Sequence, residues 1–227
     1  MGYGFRVVSR RGYDDPCGIA RALALVGERW ALLVVRELLL GPKRFTDLSR
    51  GLPSMSHNVL SQRLRELEES GIVRKRRLGP PASATGYELT GLGKSLDPVL
   101  TALATFGSRL PLPATKATLS ADAFMLALRT SFDATAAGDL DATYGLRLDD
   151  DIFHASIRHR HLDVARGAVA DPDATITSDV KTLRAIVFGG RPLGDAVKAG
   201  DLTLEGDRTA AERFAVLFPR PQPVPRS

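Results

Sequence analysis

Cysteine is nearly missing. Cys17 stands alone in 227 residues, so no disulfide can close within the chain, and a reducing, cytoplasmic setting is expected. Long hydrophobic runs are missing as well. The most apolar stretch, "WALLVVRELLLG", is too short to span a bilayer and carries Arg36 and Glu37 near its middle. The N-terminal "MGYGFRVVSRRGYDDP" has no apolar core of signal-peptide length. No phosphate-binding glycine loop, nucleophile elbow or paired-acid pattern occurs. A soluble protein that is not an enzyme, uses no cofactor and has no membrane partner is expected.

What is present is unevenly spread. Residues 1–115 hold 17 Lys+Arg against 10 Asp+Glu, and residues 116–227 hold 14 against 16. A basic front half beside a slightly acidic back half implies that only the front half meets a polyanion. The proline-containing "LPLPATKAT" separates two differently patterned halves. The expected organisation is a first domain over 1–109, a linker over 110–118, a second domain over 119–218 and a frayed tail over 219–227, where "PRPQPVPRS" favours neither helix nor sheet.

The front half reads as mostly helical. "CGIARALALVG", "ERWALLVVRELLLGP" and "RFTDLSRGL" are three helices with glycine or proline at their ends. Ser56 then caps a fourth, in "SMSHNVLSQRLRELEESGIVRKRR". At 100° per residue, Leu60, Leu64 and Leu67 share one narrow arc with Val59 at its edge. The opposite arc holds Asn58, Ser61, Gln62, Arg65 and, a turn later, Glu69. Amide, hydroxyl and guanidinium groups are those that pair with base edges, and they crowd the end of the helix that enters a major groove. A merely solvated face has the same composition, so the neighbours decide. A short helix precedes across the break "PSM", at helix-turn-helix spacing. Arg74, Lys75, Arg76 and Arg77 follow on a strand, and the turn-rich "GPPASA" leads to a second strand, "TGYELT", as a wing would. Lys43, Arg44, Ser56 and His57 join the four basic residues as expected phosphate contacts. "GLGKSLDPVLTALATFG" is expected as one final helix.

Residues 17 to about 108 resemble the HxlR-type winged helix-turn-helix transcriptional regulators. The resemblance rests on Cys17 and Trp30 at their spacing, "LLVVREL" followed by "GPKRFTDL", "LSQRLRELEESGIV" and "YELTGLGKSL". It implies a homodimer on double-stranded DNA, with the first and last helices of this half as the pairing surface. Two reading helices would then lie about 34 Å apart on a near-palindromic site. Family members often carry proline after the cysteine, whereas Gly18 follows Cys17 here. Some relatives use this thiol to sense oxidants. A helix N-terminus favours a thiolate in general, which makes Cys17 a candidate redox sensor beside the alternative of a packed, inert cysteine.

The back half changes period. A helix in "SADAFMLALRTSF" is followed by alternating runs "ATYGLRL", "DIFHASIRH" and "LDVARGAV", a fourth strand "ATITS", a helix "DVKTLRAIVFGG", a last strand "DLTLEG" and a closing helix. This order predicts an α+β domain with an antiparallel or mixed sheet covered by helices. Residues 120 to about 218 resemble the sterol carrier protein fold, including its variant at the C-terminus of alkyl sulfatases, through "DATITSDVKTLRAIVFGG" and "LGDAVKAGDLTLEGD". The resemblance implies a tunnel for an apolar small molecule such as a fatty acyl or sterol-like ligand. Phe124, Leu128, Phe132, Phe153, Ile157, Ile186, Phe188, Phe214 and Leu217 are expected to face inward and line it. In "HASIRHRH", His159 and His161 share a strand face, but nothing at ligand spacing completes a metal site, so none is expected.

The fold expected is therefore a mainly α winged helix-turn-helix domain joined to an α+β, sterol carrier protein-like domain. The function expected is that of a homodimeric DNA-binding repressor tuned by an apolar ligand. The rival reading is a lipid carrier or lipid-binding interaction protein whose basic half touches a membrane or a protein partner.

Overall fold

The computed structural model describes residues 13–79, 85–111 and 118–219. The expected wing tip beyond Gly79, most of the linker and the tail beyond Pro219 lie outside the described residues. The chain divides into two compact units, Met1–Leu100 and Thr101–Ser227.

The first unit contains α1 (Gly18–Val26), α2 (Ala31–Leu38), β1 (Lys43–Arg44), α3 (Phe45–Gly51), α4 (His57–Glu69), β2 (Val73–Arg77), β3 (Thr85–Leu89) and α5 (Gly91–Lys94). α6 (Asp97–Ser108) crosses the division between the units, ahead of the boundary expected at residue 109. The core joins Val34, Val35 and Leu38 of α2 to Leu48 of α3, Leu60, Leu64 and Leu67 of α4, Ile72 just before β2, and Val73 and Leu89 of the sheet. The strands run in the order β1-β3-β2, antiparallel throughout. Two-residue β1 was not expected, because so short a strand has no period to read.

Local chemistry sets the boundaries. The Ser56 hydroxyl accepts from the Val59 N–H and starts α4. Gly71, at φ +70°, ends it. The Gly71 N–H donates to the Glu68 carbonyl and the Ile72 N–H to that of Leu67, so the chain reverses directly into β2. Between α1 and α2 stands Trp30 with φ 78°. The single helix expected over 91–107 is two, α5 and α6. Pro98 cannot donate a backbone hydrogen bond, so the break falls just before it and proline lies in the first turn of the new helix.

The second unit contains α7 (Ala121–Ser131), α8 (Ala134–Ala137), β4 (Ala142–Leu148), β5 (Asp151–Arg158), β6 (His161–Arg166), β7 (Ala174–Ser178), α9 (Val180–Val187), α10 (Leu193–Lys198), β8 (Leu202–Gly206) and α11 (Arg208–Ala215). Its sheet has the order β6-β5-β4-β7-β8. β4 and β7 are parallel and the other pairs antiparallel, so the sheet is mixed. One face buries Tyr144, Leu146, Leu148, Phe153, Ala155, Ile157, Leu162, Val164 and Ile176, as alternation requires. Ser120, Asp179 and Asp207 cap α7, α9 and α11 with their side chains. Helices α8 and α10 were not expected; four and six residues are too few to show a 3.6-residue stripe.

Arg166 of β6 holds the edge of this sheet. Its guanidinium binds Asp122 of α7 and Asp151 of β5 and lies over the Phe153 ring, 4.6 Å from its centroid. Burial works against its charge, but the two carboxylates outweigh burial and hold its pKa above the usual value.

Candidate nucleic-acid interface

α4 presents the two faces its sequence implies. Leu60 is 0% exposed, and Leu64 and Leu67 are 1% exposed, packed onto α2, α3 and the sheet. Asn58, Ser61, Gln62 and Arg65 are all exposed on the other side. Ser56 and His57 are exposed at the helix N-terminus, where unpaired backbone N–H groups favour an anion. The His57 ring stands edge-on to Phe45 at 5.6 Å between centroids, which ties the start of α4 to α3. Arg44 is exposed just before α3, and its backbone N–H donates to Asp47.

The basic strand is organised rather than free. Period-two alternation puts Arg74 and Arg76 on one side of β2 and Lys75 and Arg77 on the other. Arg74 Nε lies 2.7 Å and Arg76 Nη1 2.8 Å from the two carboxylate oxygens of Glu88 on β3. Those bonds, Arg76's first, pull the Glu88 carboxyl below its usual range against the opposing effect of burial. Lys75 reaches Glu68 of α4 at 3.0 Å, and that hydrogen bond raises the ammonium pKa. Four cations facing two carboxylates leave a surplus of two positive charges along the wing. All four basic side chains remain exposed.

Lys43 is a correction. It was expected on a phosphate, yet it is 5% exposed, with Nζ 2.7 Å from Oε2 of the fully buried Glu37. Arg36 takes the other oxygen, Oε1, at 2.7 Å. Gly51 makes room for this cluster: a Cβ there would stand 2.3 Å from Glu37 Oε2. A lysine so committed compensates a buried charge and does not face a duplex.

Sequence reasoning missed a network on the flank of α4. Arg63 is only 9% exposed. It binds Glu66 and lies 3.8 Å from Glu28, while Gln62 Nε2 donates to Glu66 at 3.0 Å. The available signal was an arginine three residues after Leu60 with an acid three residues further on, which is ion-pair spacing on the side of the leucines.

Cys17 is exposed and is the N-cap of α1, its Sγ accepting from the Ala20 N–H at 3.3 Å. It is therefore not packed into a core. The histidine expectation needs correction, because the strand is not regular there. β5 ends at Arg158, and His159 and Arg160, at φ 50° and 62°, form the turn into β6. His154 Nδ1 lies 3.1 Å from the Gly167 carbonyl. Among the described residues no group of three or more His, Cys, Asp or Glu is placed to hold a metal.

In the second unit, Phe124, Leu128, Phe153, Ile157, Ile186, Phe214 and Leu217 are buried, and Phe132 and Phe188 half-buried. Several of their rings touch: Phe124 meets Phe188 at 6.2 Å, and Phe214 meets Tyr144 at 4.6 Å and Phe218 at 5.0 Å. Tyr144 and Phe218 complete this aromatic group and were not among the expected lining residues. The Tyr144 hydroxyl is buried with no hydrogen-bond partner. Burial first, then the charges of Asp173 and Asp207 over the opposing Arg213, pushes its pKa up to about 12.

The HxlR-like helix-turn-helix family matches residues 25–113. The HTH-type transcriptional regulator YvaP of Bacillus subtilis is 39% identical over 80 residues, 35% of this chain and 74% of that protein. YkvN of the same organism is 37% identical over 91 residues, 40% of this chain and 77% of that protein. The chain belongs to the HxlR-like helix-turn-helix family. The HxlR-like regulator carries a second family match behind the first: the alkyl sulfatase C-terminal family covers residues 111–224. Among solved structures, the inverting sec-alkylsulfatase Pisa1 from Pseudomonas is 25% identical over 44% of this chain, with a TM-score of 0.42. This chain spans only 16% of that enzyme. No described helix of the HxlR-like chain is long and apolar enough to cross a membrane.

Proposed function

We propose that this HxlR-like regulator is a homodimeric repressor that reads double-stranded DNA with α4 and is tuned by an apolar small molecule held in its C-terminal domain. The observation that carries the DNA part is the division of α4: three leucines fully buried, and Asn58, Ser61, Gln62 and Arg65 exposed together beside a wing with surplus positive charge. Those four side chains read base edges. Arg44, Ser56, His57 and the cations of β2 hold phosphates. The protein has no catalytic role of its own in this reading.

Pairing is supported by the helices named for it. Ile19 and Leu23 of α1 and Val99, Leu103 and Phe106 of α6 are all exposed, and α6 buries no residue. Apolar side chains on a helix without a buried face suit a second copy of the chain. Ligand control is supported by the apolar interior of this domain, where Phe124 meets Phe188, Phe214 meets Tyr144 and Phe218, and Phe153 is buried. Cys17, exposed at a helix N-terminus, is the position for thiol sensing within this proposal.

The test is binding of full-length protein to duplexes selected from a random pool. Retention with affinity falling steeply as salt rises supports the reading. Gln62→Ala should cost about 1–3 kcal/mol on the selected site and little on random DNA. A protein that retains no duplex but copurifies with lipid is a carrier, and the regulator reading fails.

A further inference from the structure

Glu66 stands one turn beyond Gln62 on α4, and its two oxygens are both engaged. Oε1 accepts from Gln62 Nε2 at 3.0 Å and Oε2 is bound by Arg63. Arg63 is itself nearly buried and flanked by Glu28. The carboxylate is therefore held on one side by the nearly buried Arg63, which leaves its other oxygen to Gln62. An ionised carboxylate only accepts hydrogen bonds, so it holds the Gln62 amide with its NH2 group turned toward Glu66.

We propose that Glu66 is a specificity-determining residue that makes Gln62 an adenine reader. The inference rests on α4 being the groove helix, as proposed above. The adenine edge offers a donor at N6 beside an acceptor at N7. Gln62, held by Glu66, offers the complement: Oε1 accepts from N6, and the second Nε2–H donates to N7. Guanine offers two acceptors, O6 and N7. To satisfy both, Gln62 needs two outward N–H bonds, and Glu66 has taken one of them. Turning the amide over aims Oε1 at a carboxylate, which has no proton to give. Glu66 thus discriminates without touching the base.

The decisive variant is Glu66→Gln. Arg63 can only donate, so the new amide turns its oxygen to Arg63 and its NH2 group to Gln62. The Gln62 amide must then reverse, with Oε1 inward and both N–H bonds outward. Selection from random duplexes is run on full-length wild type, Glu66→Gln, Glu66→Ala and Gln62→Ala, with thermal melts alongside. In wild type, one position per half-site prefers adenine, and Gln62→Ala erases that preference. Glu66→Ala should reduce the adenine-to-guanine ratio there about tenfold, the size of a single lost base-edge discrimination. Glu66→Gln should move the preference toward guanine, leaving the other positions unchanged. If Gln62→Ala erases the preference while both Glu66 variants keep it within twofold of wild type, Glu66 is only structural and the inference is overturned. If Gln62→Ala changes no position at all, Gln62 reads no base and the inference is overturned, whereas loss of all duplex selection by the wild type is what sinks the groove reading. Glu66→Gln keeps a partner for Arg63, so the test survives if Glu66→Ala does not fold.

Discussion

Lys43 and Tyr144 show how burial reverses the meaning of a polar residue. In sequence Lys43 is one more cation ahead of a helix-turn-helix. In space it neutralises Glu37, which is 0% exposed. Removing Lys43 leaves the buried Glu37 paired with Arg36 through Oε1 and strips the cation from Oε2, so Lys43→Ala should destabilise the domain by about 1–3 kcal/mol in chemical denaturation. The salt dependence of DNA binding should stay as in wild type. Tyr144 is the opposite case, a hydroxyl buried with nothing to bind. Tyr144→Phe should therefore stabilise the second unit by about 1–2 kcal/mol at neutral pH, read from its unfolding midpoint. An unfolded tyrosine ionises near pH 10, whereas Tyr144 holds its proton to about 12. The stability tied to the neutral hydroxyl is present below pH 10 and declines as pH rises toward 12. That alkaline decline should be absent in Tyr144→Phe.

At the scale of elements, α4 and the wing behave differently. α4 is held by its three leucines, its Ser56 cap and the Gly71 reversal, all of which a sequence can announce. The leucine spacing, the cap and the exposed amide face were legible for that reason. The wing is held across strands, by Arg74 and Arg76 sharing Glu88. Strand register decides that Glu88 stands opposite Arg74, and no local pattern announces register. Because the Glu88 carboxyl is depressed in the folded state, its contribution is present above its ordinary value of 4.5 and is lost as pH falls through the lower folded value. Melts between pH 3 and 6 should show the first unit weakening with acid, and Glu88→Gln should flatten that dependence. The same variant frees two arginines and should strengthen binding to random DNA at low salt. Unchanged melts and unchanged binding would mean that the two arginine contacts to Glu88 are energetically idle, as many ion pairs near a surface are.

For the molecule as a whole, the unpartnered face of α6 carries the sharpest expectation. Phe106 is 64% and Leu103 47% exposed, an arrangement that suits pairing between copies. Phe106→Glu should lower the mass measured by light scattering to that of one chain. It should also weaken site-specific DNA binding, because two half-sites read together gain from effective concentration. A variant that keeps the mass of the wild type would place the pairing surface elsewhere.

The sequence by itself determined which residues face inward along each helix and strand, because periods of 3.6 and 2 follow from backbone geometry alone. It also determined that a basic, helical half precedes an α+β half, and it named Asn58, Ser61, Gln62 and Arg65 among the outward side chains of α4. Tertiary structure alone decided which polar groups are spoken for. Lys43 belongs to Glu37, Gln62 leans on Glu66, Arg74 and Arg76 share Glu88, and Tyr144 has no partner. Each of these pairings is set by elements that meet only after folding, or by a rotamer that packing selects. Charge and hydrogen bonding act over a few ångströms in space, and distance along the chain does not report that separation.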